Sequence, residues 1–373
     1  MDGPRALRAE DLPSLRELTD LVMRVGLVDQ FPQLFTEENF PNSRICVENG
    51  RCVSHVGLTL QGASFYGCWT RVGCIGGVCT HPEYRKLGLA SACFDDAMRW
   101  AEAQGADLFQ VSGYRNLYRM RGCVYVGRDL VFTLTPEPLP ALSGLPEVTV
   151  QPMTDAELPL VMECYRAEPV RFHRTPQDYY LATHGGWVMN RPSEFLVVRE
   201  RGDFRGYVIA PQVETNGSAR LAELAGDRRA LMAALPIILQ HGGLASLSFQ
   251  VMRHDALLRS LLEQVGLSGT PQSTPGTITL LNFPRLMERM RPLFVELLGA
   301  QTAAQLRYAQ EEVQCTFALG EEEFTTDRSE AARMLFGTPE GLSPLLLERE
   351  GRLGEVLRAI LPLPTLWYGI NYV

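Results

Sequence analysis

Residues 72–90 read VGCIGGVCTHPEYRKLGLA, and this stretch decides the fold. Val72–Thr80 is a short apolar run that predicts a buried strand. Leu89–Gln104 follows as a helix, with Leu89, Cys93, Ala97 and Trp100 at helical spacing on its inner face. Between the two, Arg85-Lys86-Leu87-Gly88-Leu89-Ala90 fits the pattern Gln/Arg-x-x-Gly-x-Gly/Ala. A strand end, a loop that turns its backbone N–H groups inward and a helix N-terminus together make an anion site suited to a pyrophosphate. Gly88 and Ala90 let the backbone come close to it, and Arg85 and Lys86 add positive charge. The pattern alone says little, because the composition predicts about one match by chance. A second match, Gln240-His241-Gly242-Gly243-Leu244-Ala245, follows a helix and precedes a strand, which is the reverse of the order required.

Outward from this segment, two stretches predict linkers: Thr135–Pro146, with four prolines in twelve residues, and Ser268–Gly276. They divide the chain into 1–136, 147–267 and 277–373, in keeping with a length of 373 residues, too long for one ordinary core. The first two units begin alike, each with a short strand, an acidic turn and an amphipathic helix (Arg5–Arg24 and Val148–Glu168), which predicts an internal repeat of one α/β unit. In the first unit, Arg44–Glu48 and Val53–Leu60 flank an Asn49-Gly50 turn and predict a hairpin. Leu108–Ser112 is a further strand, Leu117–Arg121 a short helix closing on Gly122, and Val124–Leu134 a last strand. The third unit mixes a helix at Phe283–Leu298, a strand at Val313–Leu319 and a helix at Ser329–Leu335, and ends in LPLPTLWYGINYV.

Bulk composition excludes several classes. With 46% hydrophobic and 21% charged residues the chain reads as globular. No apolar signal segment opens it and no run reaches a membrane span, so a cytoplasmic protein without a membrane partner is expected. The nine cysteines are odd in number and contain no CxxC, and the six histidines lack ligand spacing, which argues against disulfides and against a metal site. A net charge of −8 disfavours nucleic acid and mildly favours a cationic substrate. The only lysine in the chain is Lys86.

The element order from 5 to 134, the loop at 85–90 and the segment Leu117-Tyr118-Arg119-Met120-Arg121-Gly122-Cys123 resemble the GNAT acetyltransferase superfamily. That resemblance implies an acetyl-CoA cofactor bound by Val78, Thr80, Arg85, Lys86, Gly88, Leu89 and Ala90, and Tyr118 as the acid that protonates the departing thiolate. Leu117 and Cys123 stand where the family has aromatic residues. The three-unit layout is similar to the enhanced intracellular survival (Eis) proteins. It implies an α/β (α+β) architecture of two tandem GNAT-like mixed-sheet domains, the second degenerate, then a sterol-carrier-like α+β domain. In the second unit the strand Ala219–Leu224 runs straight into a helix at Asp227, leaving no room for a cofactor loop, and Glu263 stands where the tyrosine would be.

Attack on a thioester needs a neutral amine, hence a group that accepts a proton. Neither Val72–Thr80 nor Leu108–Ser112 contains a carboxylate. His81 is one candidate, or a solvent-facing loop residue. The Eis resemblance implies another, the terminal carboxylate of Val373, and the apolar tail 366–373 has the area to dock; burial would raise that carboxylate's pKa. Val25–Phe40 is expected to line the acceptor site, with Asp29, Phe31, Phe35, Glu37 and Glu38 receiving an ammonium group; Phe65, Tyr66 and Trp69 are further candidates. The same residues also read as core aromatics and solvated charges. The resemblance thus implies transfer of an acetyl group to a primary amine of a cationic small molecule or a lysine side chain, by a homo-oligomer, a hexamer in Eis-like proteins. Two other readings stand beside it: a non-catalytic CoA- or lipid-binding module, and a biosynthetic GNAT acyltransferase with an unrelated acceptor.

Overall fold

The computed structural model describes residues 1–137, 144–211 and 217–373. β1 (Asp2–Ala6) leads to α1 (Leu12–Val22) through a turn in which Arg5 grips both oxygens of Asp11, at 2.7 and 2.8 Å. A short α2 (Leu27–Gln30) and two single turns reach the hairpin of β2 (Arg44–Glu48) and β3 (Arg51–Phe65). Its two-residue turn holds Asn49 and Gly50 at φ 51° and 75°, as a tight hairpin requires. β4 (Cys68–Thr80), α3 (Leu89–Ala103), β5 (Leu108–Val111) and α4 (Asn116–Arg119) follow. The sheet runs β1-β2-β3-β4-β5, with β4 and β5 parallel and the other neighbours antiparallel. Cys93, Phe94, Ala97 and Ala101 of α3 pack on one face; Leu15 and Leu18 of α1, with Leu34 and Phe35, belong to the core on the other.

The middle of the chain contributes β6 (Asp129–Leu134), β7 (Val148–Pro152), α5 (Leu158–Arg166), β8 (Val170–Phe172), α6 (Pro176–Gly185), β9 (Trp187–Val188), β10 (Arg191–Glu200), β11 (Asp203–Pro211), β12 (Ser218–Arg220), β13 (Glu223–Gly226), α7 (Arg228–His241), β14 (Ser246–Val251), α8 (Ala256–Gln264) and β15 (Thr270–Gln272). Two sheets result, β13-β11-β10-β7 and β12-β14-β6-β15. β7, a capped turn at Thr154–Glu157 and α5 repeat the opening of the first unit. β16 (Thr277–Leu280), α9 (Phe283–Arg289), α10 (Arg291–Leu298), α11 (Ala300–Gln305), β17 (Leu306–Glu311), β18 (Gln314–Leu319), β19 (Glu322–Asp327), α12 (Arg328–Phe336), α13 (Pro344–Glu348) and α14 (Gly351–Ile360) complete the chain before its tail. β17-β18-β19 form an antiparallel meander.

Strand pairing crosses the boundaries drawn from composition. β6, expected to close the first unit, pairs with β14 of the second. The first sheet's edge at β5 is covered instead by β16, and β8 adds to β3. An edge abandoned by β6 leaves backbone groups that must find partners, and β16 supplies them. The expected linker Ser268–Gly276 therefore contains a paired strand, β15 against β6. Of the other expected linker, Thr135–Pro146, residues 138–143 lie outside the described residues. The single helix expected at Phe283–Leu298 is two, interrupted at Met290 just before Pro292, whose missing N–H breaks the ladder.

Candidate active site

β4 and β5 run side by side from Val72–Leu108 to Ile75–Val111 and then part. On its other side β4 carries one extra residue against β3: His55 faces Cys79 but Gly57 faces Gly76. This is a β-bulge, and Gly77 within it sits at φ 59°, where a side chain would be strained. The bulge turns the backbone of Gly76–Val78 into the opening. His55 holds it from below, its Nδ1 donating to the Gly77 carbonyl at 2.7 Å. Burial pushes the His55 pKa down to about 4, only partly offset by that hydrogen bond, so the ring is neutral; it stacks on Phe35.

The opening forms two neighbouring regions, lined by nearby residues of β4 and of α4. The outer one is a groove of about 600 Å³ lined by Thr80, Arg85, Lys86, Gly88, Leu89, Ala90, Ser91, Asn116, Leu117 and Arg121. Gly88 precedes α3 at φ 78° with no side-chain cap, so the first N–H groups of the helix are left for a ligand. A Cβ on Gly88 would meet nothing within 4 Å, so the cradle is open. Six of the seven residues expected to bind the cofactor line this groove; the seventh, Val78, lines the inner region. The residues present therefore fit a pyrophosphate-bearing ligand.

The inner region is a cavity of about 190 Å³ lined by Gly76, Gly77, Val78, Ser112, Arg115, Tyr118, Val373, Phe31, Leu34 and Tyr372, among others. Tyr118 is only 4% exposed and its ring packs on Phe94 at 5.5 Å. Burial raises its pKa above the usual 10, against a lowering by Arg115, so the phenol keeps its proton at neutral pH. Arg115 Nη1 donates to the Val78 carbonyl at 3.3 Å, across the splay.

The far end of the chain reaches the same cavity. Gln110 Nε2 donates to the Leu366 carbonyl at 3.1 Å, Gln33 Nε2 donates to the Tyr372 carbonyl at 3.1 Å, and Tyr372 packs on Phe31. Val373 is 5% exposed, and Ser112 Oγ donates to one of its carboxylate oxygens at 3.3 Å. It lies so close to β4 that a Cβ on Gly76 would fall 2.0 Å from its carboxyl carbon.

The other expected site residues divide between the cavity and the surface around it. Phe31 lines the cavity, and Phe35 lies behind it against His55. Asp29 points outward in an exposed pair with Arg16, and Glu37 and Glu38 are exposed on a single turn; none of the three lines the cavity. The reason is local: this segment winds as short turns whose apolar side chains take the inner face and whose acids take the outer one. His81 caps the next turn and lines a different hollow, beside Ser14 and Glu17. Phe65 is core, while Tyr66 and Trp69 are half-exposed and occupied by His254 and Arg289. Sequence reading missed Gly76, His55, Ser112 and Arg115. The Gly76-Gly77 pair inside a strand was the available signal, since glycine there marks a bulge or a close approach. Among the described residues no His, Cys, Asp and Glu group is placed to hold a metal, and no helix is long and apolar enough to cross a membrane.

Residues 4–126 match the family model described as an acetyltransferase (GNAT) domain, so the splayed sheet and its loop are those of a GNAT acetyltransferase domain. Over the whole chain the fold is similar to that of several solved structures. Eis1 from Mycobacterium abscessus superposes with a TM-score of 0.63 at 13% identity, covering 96% of each chain. A probable N-acyltransferase from Enterococcus faecalis V583 gives 0.67 at 16% identity and 99% of each chain. A GCN5-related N-acetyltransferase from Anabaena variabilis gives 0.65 at 14% identity and 96% of each. No curated protein matches the sequence.

Proposed function

We propose that the chain is an acetyl-CoA-dependent N-acetyltransferase that acetylates a primary amine, on a cationic small molecule or a lysine side chain, with the carboxylate of Val373 as base and Tyr118 as acid. One observation carries the reading: a carboxylate and a protonated phenol line the same small cavity, next to a groove built to hold an anion. Arg85, Lys86 and the free N–H groups after Gly88 would hold the pyrophosphate, and the backbone of Val78–Thr80 would align the arm. Bound acetyl-CoA supplies the thioester.

Val373 takes a proton from the acceptor ammonium, which frees the nitrogen lone pair to attack the thioester carbonyl. As the carbon–sulfur bond breaks, Tyr118 would give its proton to the sulfur, and the second proton shed by the attacking nitrogen would restore the phenol, leaving a neutral amide and a free thiol. Val373 is also the only carboxylate lining the cavity among the described residues, so it both attracts the ammonium and deprotonates it. The remaining wall of the cavity includes Met23, Leu27, Phe31, Leu34, Asn190 and Tyr372. Release of CoA thiol with a panel of amines is the test, run on the protein and on a variant with one glycine appended after Val373. Release by the first and its loss in the second is expected; equal release would remove Val373 from the mechanism, and no release with any amine would favour a binding module.

A further inference from the structure

Before the tail reaches the first unit it threads through the second. At the point where β12 and β13 separate, the Trp367 indole N–H donates to the Ala222 carbonyl at 2.6 Å. Two residues on, Gly369 at φ 50° passes against Glu223; a Cβ there would lie 1.5 Å from a Glu223 oxygen, so only glycine fits. Glu223 accepts from Arg174 through both carboxylate oxygens, at 2.7 and 2.6 Å, and from the Tyr207 hydroxyl at 2.5 Å. The third guanidinium nitrogen, Nε of Arg174, donates to Asn371 Oδ1 at 2.7 Å, and the guanidinium stacks on Tyr165 at 3.6 Å.

Arg174, Glu223 and Asn371 are all buried. Burial opposes the charge on Arg174, but Glu223 and the facing tyrosines outweigh it, so the group stays a cation. A buried ion pair rarely adds stability over apolar packing of the same volume, so its presence calls for another role. Its geometry supplies one. Each of the three guanidinium nitrogens donates, and one of them fixes a side chain two residues from Val373.

We infer that Arg174 and Glu223 of the second unit are positioning residues for the reaction in the first: through Asn371 they set where the Val373 carboxylate stands against Gly76. The inference rests on Val373 being the base. Asn371→Leu is the probe, since it keeps the branched shape and removes the acceptor for Nε along with the rest of the amide. It is expected to lower kcat at least 10-fold while KM for acetyl-CoA and CoA affinity change less than 2-fold. Asn371→Asp retains an acceptor and is expected to recover most of kcat. Arg174→Met repeats the test from the other side of the bond, with thermal melting to check folding. An unchanged kcat in Asn371→Leu overturns the inference, and so does a parallel loss of CoA affinity, which would mean general disruption. The glycine-extended chain separates the two levels. If it keeps full activity, the base assignment fails; if it is inactive while Asn371→Leu is not, only the positioning role fails.

Discussion

Replacing Gly76 by alanine is the sharpest perturbation of the site. Gly76 does not occupy the left-handed backbone region, so the added methyl costs no conformational strain. What it meets is Val373: the Cβ would lie 2.0 Å from the carboxyl carbon and 2.3 Å from an oxygen, whereas ordinary contact begins at 3.4 Å. The carboxylate must therefore retreat by about 1.4 Å. A general base works within ~2.6–3.2 Å of the proton it takes, and a misplacement of about 1 Å costs on the order of 100-fold. Gly76→Ala should thus reduce kcat roughly 100-fold or more, within the ~10²–10⁴ that general-base catalysis supplies. The groove around Arg85–Ala90 is untouched, so CoA affinity by titration calorimetry should stay within about 2-fold. Steady-state kinetics on the variant at saturating acetyl-CoA is the assay. A kcat within a factor of about three of the parent would refute the reasoning, since no rearrangement of β4 can hold that methyl and the carboxylate together.

Three further outcomes follow from the same geometry. His55 carries a pKa of about 4 in the fold against an ordinary 6.5, so its neutral burial favours the fold above pH 6.5 and that contribution is lost as pH falls towards 4. The gap corresponds to about 3 kcal/mol; melting curves from pH 7 to 4 should fall less steeply for His55→Gln, and parallel slopes would contradict this. Lys86→Ala should raise KM for acetyl-CoA roughly 3- to 10-fold at low salt, less at high salt, with kcat little changed, because it removes one screened charge from the phosphate groove. Asp29→Asn should leave acceptor KM unchanged and cost at most about 0.5 kcal/mol of stability, as befits an exposed pair; a several-fold rise in acceptor KM would bring Asp29 back into the site.

The groove between Thr80 and Ser91 was legible because it is local. Strand, loop and helix are contiguous between residues 72 and 104, and a helix N-terminus binds anions whatever surrounds it. The placement of Tyr118 at the opening was legible because α4 and the loop at 85–90 belong to one contiguous unit. The acceptor side was not, because the turns between Leu27 and Asn39 are too short to carry a period, so which side chains face inward is set by packing on Leu34 and His55. Strand exchange was likewise invisible: β6 and β16 have ordinary strand composition, and nothing in their residues says which sheet they join.

The missing carboxylate on β4 and the glycine that replaces bulk there are two sides of one arrangement. A side chain at residue 76 would fill the space into which the terminus projects, so the strand must be bare where the terminal carboxylate meets it. The terminus in turn must arrive at one place, and a free tail fluctuates unless its backbone is tied down. Here the ties come from three directions: Gln110 of β5 holds Leu366, Arg174 holds Asn371, and Gln33 holds Tyr372. Such ties are useful only if the first and second units cannot shift against each other. β8 pairs with β3 and β16 with β5, while β6 runs from the first unit into the second unit's sheet, so any relative movement would break backbone ladders on several sides of the cavity. Strand exchange therefore accounts for how a carboxylate from the far end of the sequence can be held in register with a sheet built from its beginning.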